Sequence, residues 1–271
     1  MSIPDLPPPN KRLGQNFLID PNIVRKIVAV AELCPGDSVL EIGPGRGVLT
    51  EALSRAAGRV TAVEVDPKLH AYLKTRQAEF PNVALDCADA LTYPLDSLPE
   101  GTIVVANLPY YISTPLLFRL LDQRGRFPRL VLMLQSEVAD RLVAKPGGSN
   151  YGILSVMAQY AADITKSFRV SAQCFRPRPD VASAVVLLRT KAHTGLSQQE
   201  ESVFRALVKA AFAHRRKTIV NSLRDEGYDQ GFVTEALGQF GLPQAVRAET
   251  ISLEQFIALS RVTGMGNRKF V

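Results

Sequence analysis

Ser38-Val39-Leu40-Glu41-Ile42-Gly43-Pro44-Gly45-Arg46-Gly47 decides the fold. An apolar run reads as a buried strand, stops at glycines 43, 45 and 47, and gives way to a helical pattern over roughly 48–57. Glycines at such a junction let the backbone come close to a ligand, because there is no Cβ to hold it off. The spacing excludes one class of ligand. A dinucleotide fingerprint is Gly-x-Gly-x-x-Gly, and the third glycine here comes one place early, so a nicotinamide cofactor is disfavoured.

Downstream, Arg59–Asp66 is a second strand ending in acid. Glu64 lies 21 positions after Gly43, the distance at which a doubly wound fold sets a carboxylate against ribose hydroxyls. A lone acid there more often caps a helix, a part that Asp66-Pro67 fills. A third strand near Val83-Ala84-Leu85 leads to Asp89, which either forms a turn or accepts from an adenine amine. The fourth, Val104-Val105-Ala106, ends at Asn107-Leu108-Pro109-Tyr110. Ligands gather outside the carboxyl ends of open α/β sheets, and a proline there fixes the backbone so that the Asn107 side chain and the Leu108 carbonyl can point the same way. Two such acceptors suit an exocyclic amine. Holding both its hydrogens frees the nitrogen lone pair for attack without a strong base. Tyr110 offers a flat face to a base taken out of its helix, and small Ala106 leaves room for an amine already carrying one methyl. The plain alternative is a β-turn, with Pro109 a turn residue and the tyrosines filling core.

A helix over 113–121, a strand over 128–135, helices over 136–144 and 151–161 and strands over 164–170 and 182–188 complete a seven-stranded α/β alternation. Lys145–Asn150 is a polar loop, either solvated or placed to touch phosphate. Phe175-Arg176-Pro177-Arg178-Pro179 is a stiffened segment. Phe175 either anchors that loop or forms the second face of an aromatic sandwich around a flipped base, with Arg176 and Arg178 on phosphates. Upstream, Asp20-Pro21 caps a helix carrying Ile23, Val24, Ile27, Val28 and Ala31 on one face, and Gly14–Phe17 reads as a plain approach to it. From about 195 the β-branched runs stop and amphipathic helical periods take over. The expected division is therefore a main domain over 1–194 and a small all-helical domain over 195–271. Within the latter, Arg215, Arg216 and Lys217 form a cationic run at a helix start, either a solvated face or an RNA-backbone contact.

The net charge of +6 permits a polyanionic partner. Residues 191–271 hold 11 Lys+Arg against 8 Asp+Glu and residues 1–190 hold 21 against 18, so the shorter part carries the denser positive charge. Cys34, Cys87 and Cys174 lie far apart beside only three histidines; no metal-ligand spacing exists, and a reducing, cytoplasmic setting is expected. Residues 1–10 read as a disordered arm rather than a signal peptide, and no run reaches membrane-spanning length.

The Glu41-x-Gly43-x-Gly45 form resembles the S-adenosylmethionine loop of class I methyltransferases. Taken with Leu13–Leu18, Glu64-Val65-Asp66, Asp89-Ala90, Asn107–Tyr110, Ile112-Ser113-Thr114, Leu134-Gln135, Tyr151-Gly152, Phe175 with its spaced prolines, Ser183–Val186 and Arg215–Thr218, it resembles the KsgA (RsmA) family of small-subunit ribosomal RNA adenine dimethyltransferases over nearly the whole chain. The resemblance implies a class I, Rossmann-like methyltransferase sheet with a small C-terminal helical domain, S-adenosylmethionine as cofactor and S-adenosylhomocysteine as product. It implies that Asn16 and Leu18 close over the cofactor, against the plain reading of that segment, that Gly43, Gly45, Glu64 and Asp89 contact it, and that Asn107 bridges it to the target. Catalysis falls to Asn107, Leu108, Pro109 and Tyr110. The implied substrate is a pair of adjacent adenosines near the 3′ end of 16S rRNA in the assembling 30S particle, each dimethylated at N6; the default expectation for the chain itself is a monomer without metal. Tyr111 departs from the family, many of whose members carry Asn there. A resistance-type methyltransferase of large-subunit rRNA shares the platform, DNA-adenine and protein-glutamine enzymes usually have proline where Leu108 stands, and an assembly factor acting mainly by binding is the reading from another class.

Overall fold

The computed structural model describes residues 6–10 and 13–265. In chain order the elements are β1 (Phe17–Leu18), α1 (Pro21–Ala31), β2 (Ser38–Ile42), α2 (Val48–Ala56), β3 (Arg59–Glu64), α3 (Pro67–Thr75), β4 (Val83–Cys87), β5 (Ile103–Asn107), α4 (Ser113–Asp122), β6 (Arg129–Gln135), α5 (Ser136–Leu142), α6 (Ile153–Ala161), β7 (Ala162–Val170), β8 (Phe175–Arg176), β9 (Ser183–Thr190), α7 (Gln198–Ala211), α8 (Ile219–Asp225), α9 (Gln230–Gln239) and α10 (Leu253–Met265). They form two compact units, residues 1–139 with 161–192 and residues 140–160 with 193–271.

The first unit holds a seven-stranded sheet in the order β4-β3-β2-β5-β6-β9-β7. The strands from β4 to β6 run parallel, and β9 lies antiparallel between β6 and β7. The central parallel strands are continuous apolar runs because both faces are covered: Val104, Val105, Leu130, Val131 and Leu132 are fully buried. Between β2 and β5 the chain order reverses direction across the sheet. That is a topological switch point, where a crevice opens at the strand ends. Asp20 and Asp66 cap α1 and α3 as expected, each side chain accepting from a backbone N–H two residues on, with proline at the first helical position.

A second, two-stranded sheet, β1 against β8, pairs Phe17 with Arg176 and Leu18 with Phe175. The sequence gives no periodic signal for two-residue strands. Residues 14–17 are thus not a plain approach to α1; they are tied to the segment before β9. Residues 1–5 of the expected disordered arm lie outside the described residues, as do Lys11 and Arg12. Residues 6–10 are irregular chain, and the Pro7 carbonyl accepts a hydrogen bond from Arg46 at 3.0 Å.

The second unit is helical. It differs from a single division at 194 by taking in residues 140–160. The reason is aromatic packing and two backbone ties: Tyr160 stacks on Phe204 with ring centroids 4.6 Å apart, Tyr151 meets Phe212 edge-on, the Tyr151 hydroxyl donates to the Ile251 carbonyl at 2.8 Å, and the Gly147 N–H donates to Glu249 at 2.7 Å. The Lys145–Asn150 loop is therefore a set of hydrogen-bonded turns. A capping box of Ser197 and Glu200 starts α7, and Thr218 caps α8. Among the described residues no helix is long and apolar enough to cross a membrane.

Candidate functional site

A cleft opens at the carboxyl ends of β2, β3, β4 and β5 in the first unit, where an open α/β sheet gathers its ligand. Leu13–Leu18, Glu41–Arg46, Glu64, Asp89 and Asn107–Ile112 line it. The sequence-derived cofactor set, Asn16, Leu18, Gly43, Gly45, Glu64, Asp89 and Asn107, is all gathered here.

The floor is the turn from β2 into α2. Gly43, Gly45 and Gly47 have φ of 70°, 60° and 83°, in the left-handed region that side chains rarely adopt. A Cβ on Gly45 would also stand 3.1 Å from the Phe17 ring, so the strap crossing the cleft demands glycine there. Glu64, 4% exposed at the end of β3, holds this turn: one carboxylate oxygen accepts from the Gly45 N–H at 3.0 Å and the other from the Asp66 N–H at 2.9 Å. Burial pushes its pKa up, against the pull of those N–H groups. Its remaining lone pairs can still accept from a diol.

Glu41, which the sequence marks as part of the glycine motif, has no role assigned to it there. It is 1% exposed and lines the cleft, with one oxygen, Oε2, lacking a hydrogen-bond partner among the described residues. Burial, helped by the negative charge of Glu64, raises its pKa to about 8, although the Thr50 hydroxyl beside it opposes the shift. The signal was present as an acid inside the otherwise apolar run Val39-Leu40-Glu41-Ile42. Asp89 forms the expected turn, its Oδ1 accepting from the Leu91 N–H at 2.8 Å, and its exposed side chain also lines the cleft.

The roof is the strap Leu13–Leu18. Gln15 donates to Asp66 at 2.9 Å, the Arg46 guanidinium lies 4.3 Å from the Phe17 ring centre, and the Asn16 side chain folds back on the Gly14 carbonyl at 3.0 Å. Asn107, at the end of β5, donates from Nδ2 to the Asn16 backbone carbonyl at 3.3 Å. A carbonyl can only accept, so this bond sets the amide orientation and turns Oδ1 away from the strap. The Leu108 N–H donates to Met133 at 3.1 Å, and nothing among the described residues donates to the Leu108 carbonyl. Asn107 Oδ1 and Leu108 O are thus two open acceptors on adjacent residues, stiffened by Pro109 at φ −57°.

Tyr110 is partly buried, with its hydroxyl tied to Ser183 Oγ at 2.7 Å and its pKa raised by burial. Tyr111 is 53% exposed and lines the cleft. Phe175 does not. It is 3% exposed within the hydrophobic core beside Leu18, so its loop-anchoring role is realised and the second face of a base sandwich is not presented by it. Ala106 is likewise buried in the sheet and does not border the cleft. Arg176, the second residue of β8, and Arg178 just beyond it are exposed and lie outside the cleft lining. Arg215, Arg216 and Lys217 are exposed in the second unit, in the turn before α8 rather than in its first turn; Lys217 is paired with Asp225.

A family model described as ribosomal RNA adenine dimethylase matches residues 8–263. The chain is 44% identical over 264 residues to ribosomal RNA small subunit methyltransferase A of Moorella thermoacetica, covering 93% of this chain and 92% of that protein. It is 42% identical over 265 residues to the protein of the same name from Chlamydia felis, covering 96% and 91%. Among solved structures, a dimethyladenosine transferase from Plasmodium falciparum superposes with a TM-score of 0.78 at 28% identity over 90% of this chain and 95% of that one. The 23S rRNA methyltransferase ErmE gives 0.73 at 29% identity over 91% and 99%.

Proposed function

The chain belongs to the ribosomal RNA adenine dimethylase family, and on that premise we propose that it dimethylates N6 of two adjacent adenosines near the 3′ end of 16S rRNA in the assembling 30S subunit. It is an S-adenosylmethionine-dependent rRNA adenine dimethyltransferase. The cleft fits that cofactor. Glu64 and Asp89 supply carboxylate acceptors, Arg46 is the one cationic side chain lining it among the described residues, and a ligand with a ribose diol, an adenine amine and positive charge matches such a wall. Glu64 would take the ribose hydroxyls and Asp89 the adenine amine, with the backbone at Gly43 and Gly45 close against the ligand. When bound, the cofactor supplies an electrophilic sulfonium methyl and leaves as S-adenosylhomocysteine.

The observation that carries the mechanism is the pair of open acceptors, Asn107 Oδ1 and Leu108 O. Each accepts one hydrogen of the target amine, drawing the nitrogen toward tetrahedral geometry with its lone pair free for in-line attack. Tyr110, held by Ser183, gives the extruded base a fixed face. No side chain forms a covalent intermediate; positioning and the aligned acceptors lower the barrier. Once the nitrogen has taken one methyl and released a proton to water, a single N–H remains, and one acceptor suffices to orient it for the second transfer.

The chain acts as a cytoplasmic monomer on ribosomal particles, with Arg176, Arg178, Arg215, Arg216 and Lys217 meeting the RNA backbone. The test is transfer of labelled methyl from S-adenosylmethionine to unmethylated small subunits and, separately, to large-subunit rRNA, followed by mass spectrometry of the product. Two-methyl increments on neighbouring 16S adenosines are expected. Label confined to large-subunit RNA would make the chain a resistance-type enzyme instead.

A further inference from the structure

The tandem Tyr110-Tyr111 splits. The first ring turns inward onto Ser183, and the second stays 53% exposed at the mouth of the cleft. Three observations place Tyr111 on the cofactor side. It shares the cleft lining with Glu64 and Asp89, the two carboxylates assigned to the adenosine. Its ring lies against the strap, with Cδ1 3.7 Å from where a Cβ on Gly14 would stand; Gly14 itself has φ 55°. Its phenol, neutral in any case, is pushed further up by burial and by the charges of Asp89 and Glu64, so the ring lies within the field of the two carboxylates of the adenosine side.

We propose that Tyr111 is a specificity residue for the cofactor, its ring covering the adenosine half of the cleft against the Gly14 strap and its hydroxyl donating into that half, rather than a platform for the target base. This rests on the cofactor reading above. An aromatic ring half in water gains by being covered, and a base-sized π face is the matching cover. An amide side chain at this position would present neither the face nor the phenol.

The test is calorimetric binding of S-adenosylhomocysteine to the wild-type chain, Y111N and Y111F, with KM for unmethylated small subunits measured on the same variants. Y111N should weaken S-adenosylhomocysteine roughly tenfold, the scale of one lost base–aromatic contact, and Y111F by about two- to threefold for the lost donor. KM for the small subunit should stay within twofold of wild type. Unchanged nucleoside binding in Y111N with a raised KM for RNA would overturn the inference and return Tyr111 to the target base; no change in either would leave the ring without a role and also overturn it. Thermal melts of the exposed-site variants separate lost binding from lost folding. Failure of the wild-type chain itself to bind S-adenosylhomocysteine would strike the cofactor reading, a result distinct from a Tyr111-specific one.

Discussion

The floor and the rim of the cleft are built on opposite rules. On the floor, polar groups are spent on the protein: the two Glu64 oxygens hold the Gly45 and Asp66 amides, and Asp66 also takes Gln15 and Lys68. On the rim, Asn107 and Leu108 spend their donors on Asn16 and Met133 and leave their acceptors open. The contrast teaches that chemistry at the rim depends on what is left unpaired, whereas affinity on the floor depends on a shape held by what is paired. Glu41 is the exception on the floor, a buried acid with an unpartnered oxygen.

The largest expected effect breaks the rim. Asn107→Ala removes one of the two acceptors and the strap's tie to β5, and should lower kcat by about 10²- to 10³-fold, the cost of one preorganised hydrogen-bonding partner in a water-poor site. Asn107→Asp sharpens the comparison. It keeps an acceptor, but a carboxylate cannot donate to the Asn16 carbonyl, so much of the loss should remain. Single-turnover methyl transfer measures both, and near-wild-type turnover in Asn107→Ala would refute the rim's assigned role.

Next comes the floor's exception. Glu41 titrates at about 8 in the folded chain and near 4.5 when unfolded, so between those values the fold retains a proton that the unfolded chain has released. Its contribution to stability is therefore complete below about pH 4.5 and is lost as pH rises through about 8. Relative to Glu41→Gln, the wild-type chain should lose about 1.4 kcal/mol per pH unit within that window, a tenfold change in the folding constant. Urea denaturation of both chains across pH 5 to 8 checks it. Parallel curves would show that Glu41 is already ionised at neutral pH.

Much of this contrast was legible in the sequence because buried parallel strands and glycine turns write strong local signals. β2, β5 and β6 announce themselves as apolar runs, and Gly43, Gly45 and Gly47 mark the turn after β2 where the backbone goes left-handed. The caps Asp20-Pro21 and Asp66-Pro67 are equally local. What escaped depends on partners distant in the chain. The β1–β8 pair is too short to show a period, and the inward turn of Phe175 follows from its register against Leu18. Residues 140–160 join the helical unit through Tyr151 and Tyr160, whose partners lie beyond residue 190. Glu41 and Tyr111 could have been suspected as local misfits, an acid in an apolar strand and a second tyrosine after the first, but only the fold shows what they face.

The paired-against-unpaired rule extends, with a smaller effect, to the basic turn of the second unit. Lys217 and His214 are engaged by Asp225 and Glu226, while Arg215 and Arg216 are exposed and make no ion pair among the described residues. An exposed guanidinium without a carboxylate is free to replace counterions along a phosphate backbone; an engaged ammonium must first give up its partner. Arg215→Ala with Arg216→Ala should therefore raise KM for the small subunit several-fold and make its salt dependence shallower by roughly one and a half in the slope of log affinity against log salt. Lys217→Ala should shift both less, because its charge is already answered by Asp225. Methyl transfer to small subunits across a salt series separates the two cases. Equal effects from all three cations would mean that the turn acts as a diffuse positive field, and the rule that governs the cleft would stop at its edge.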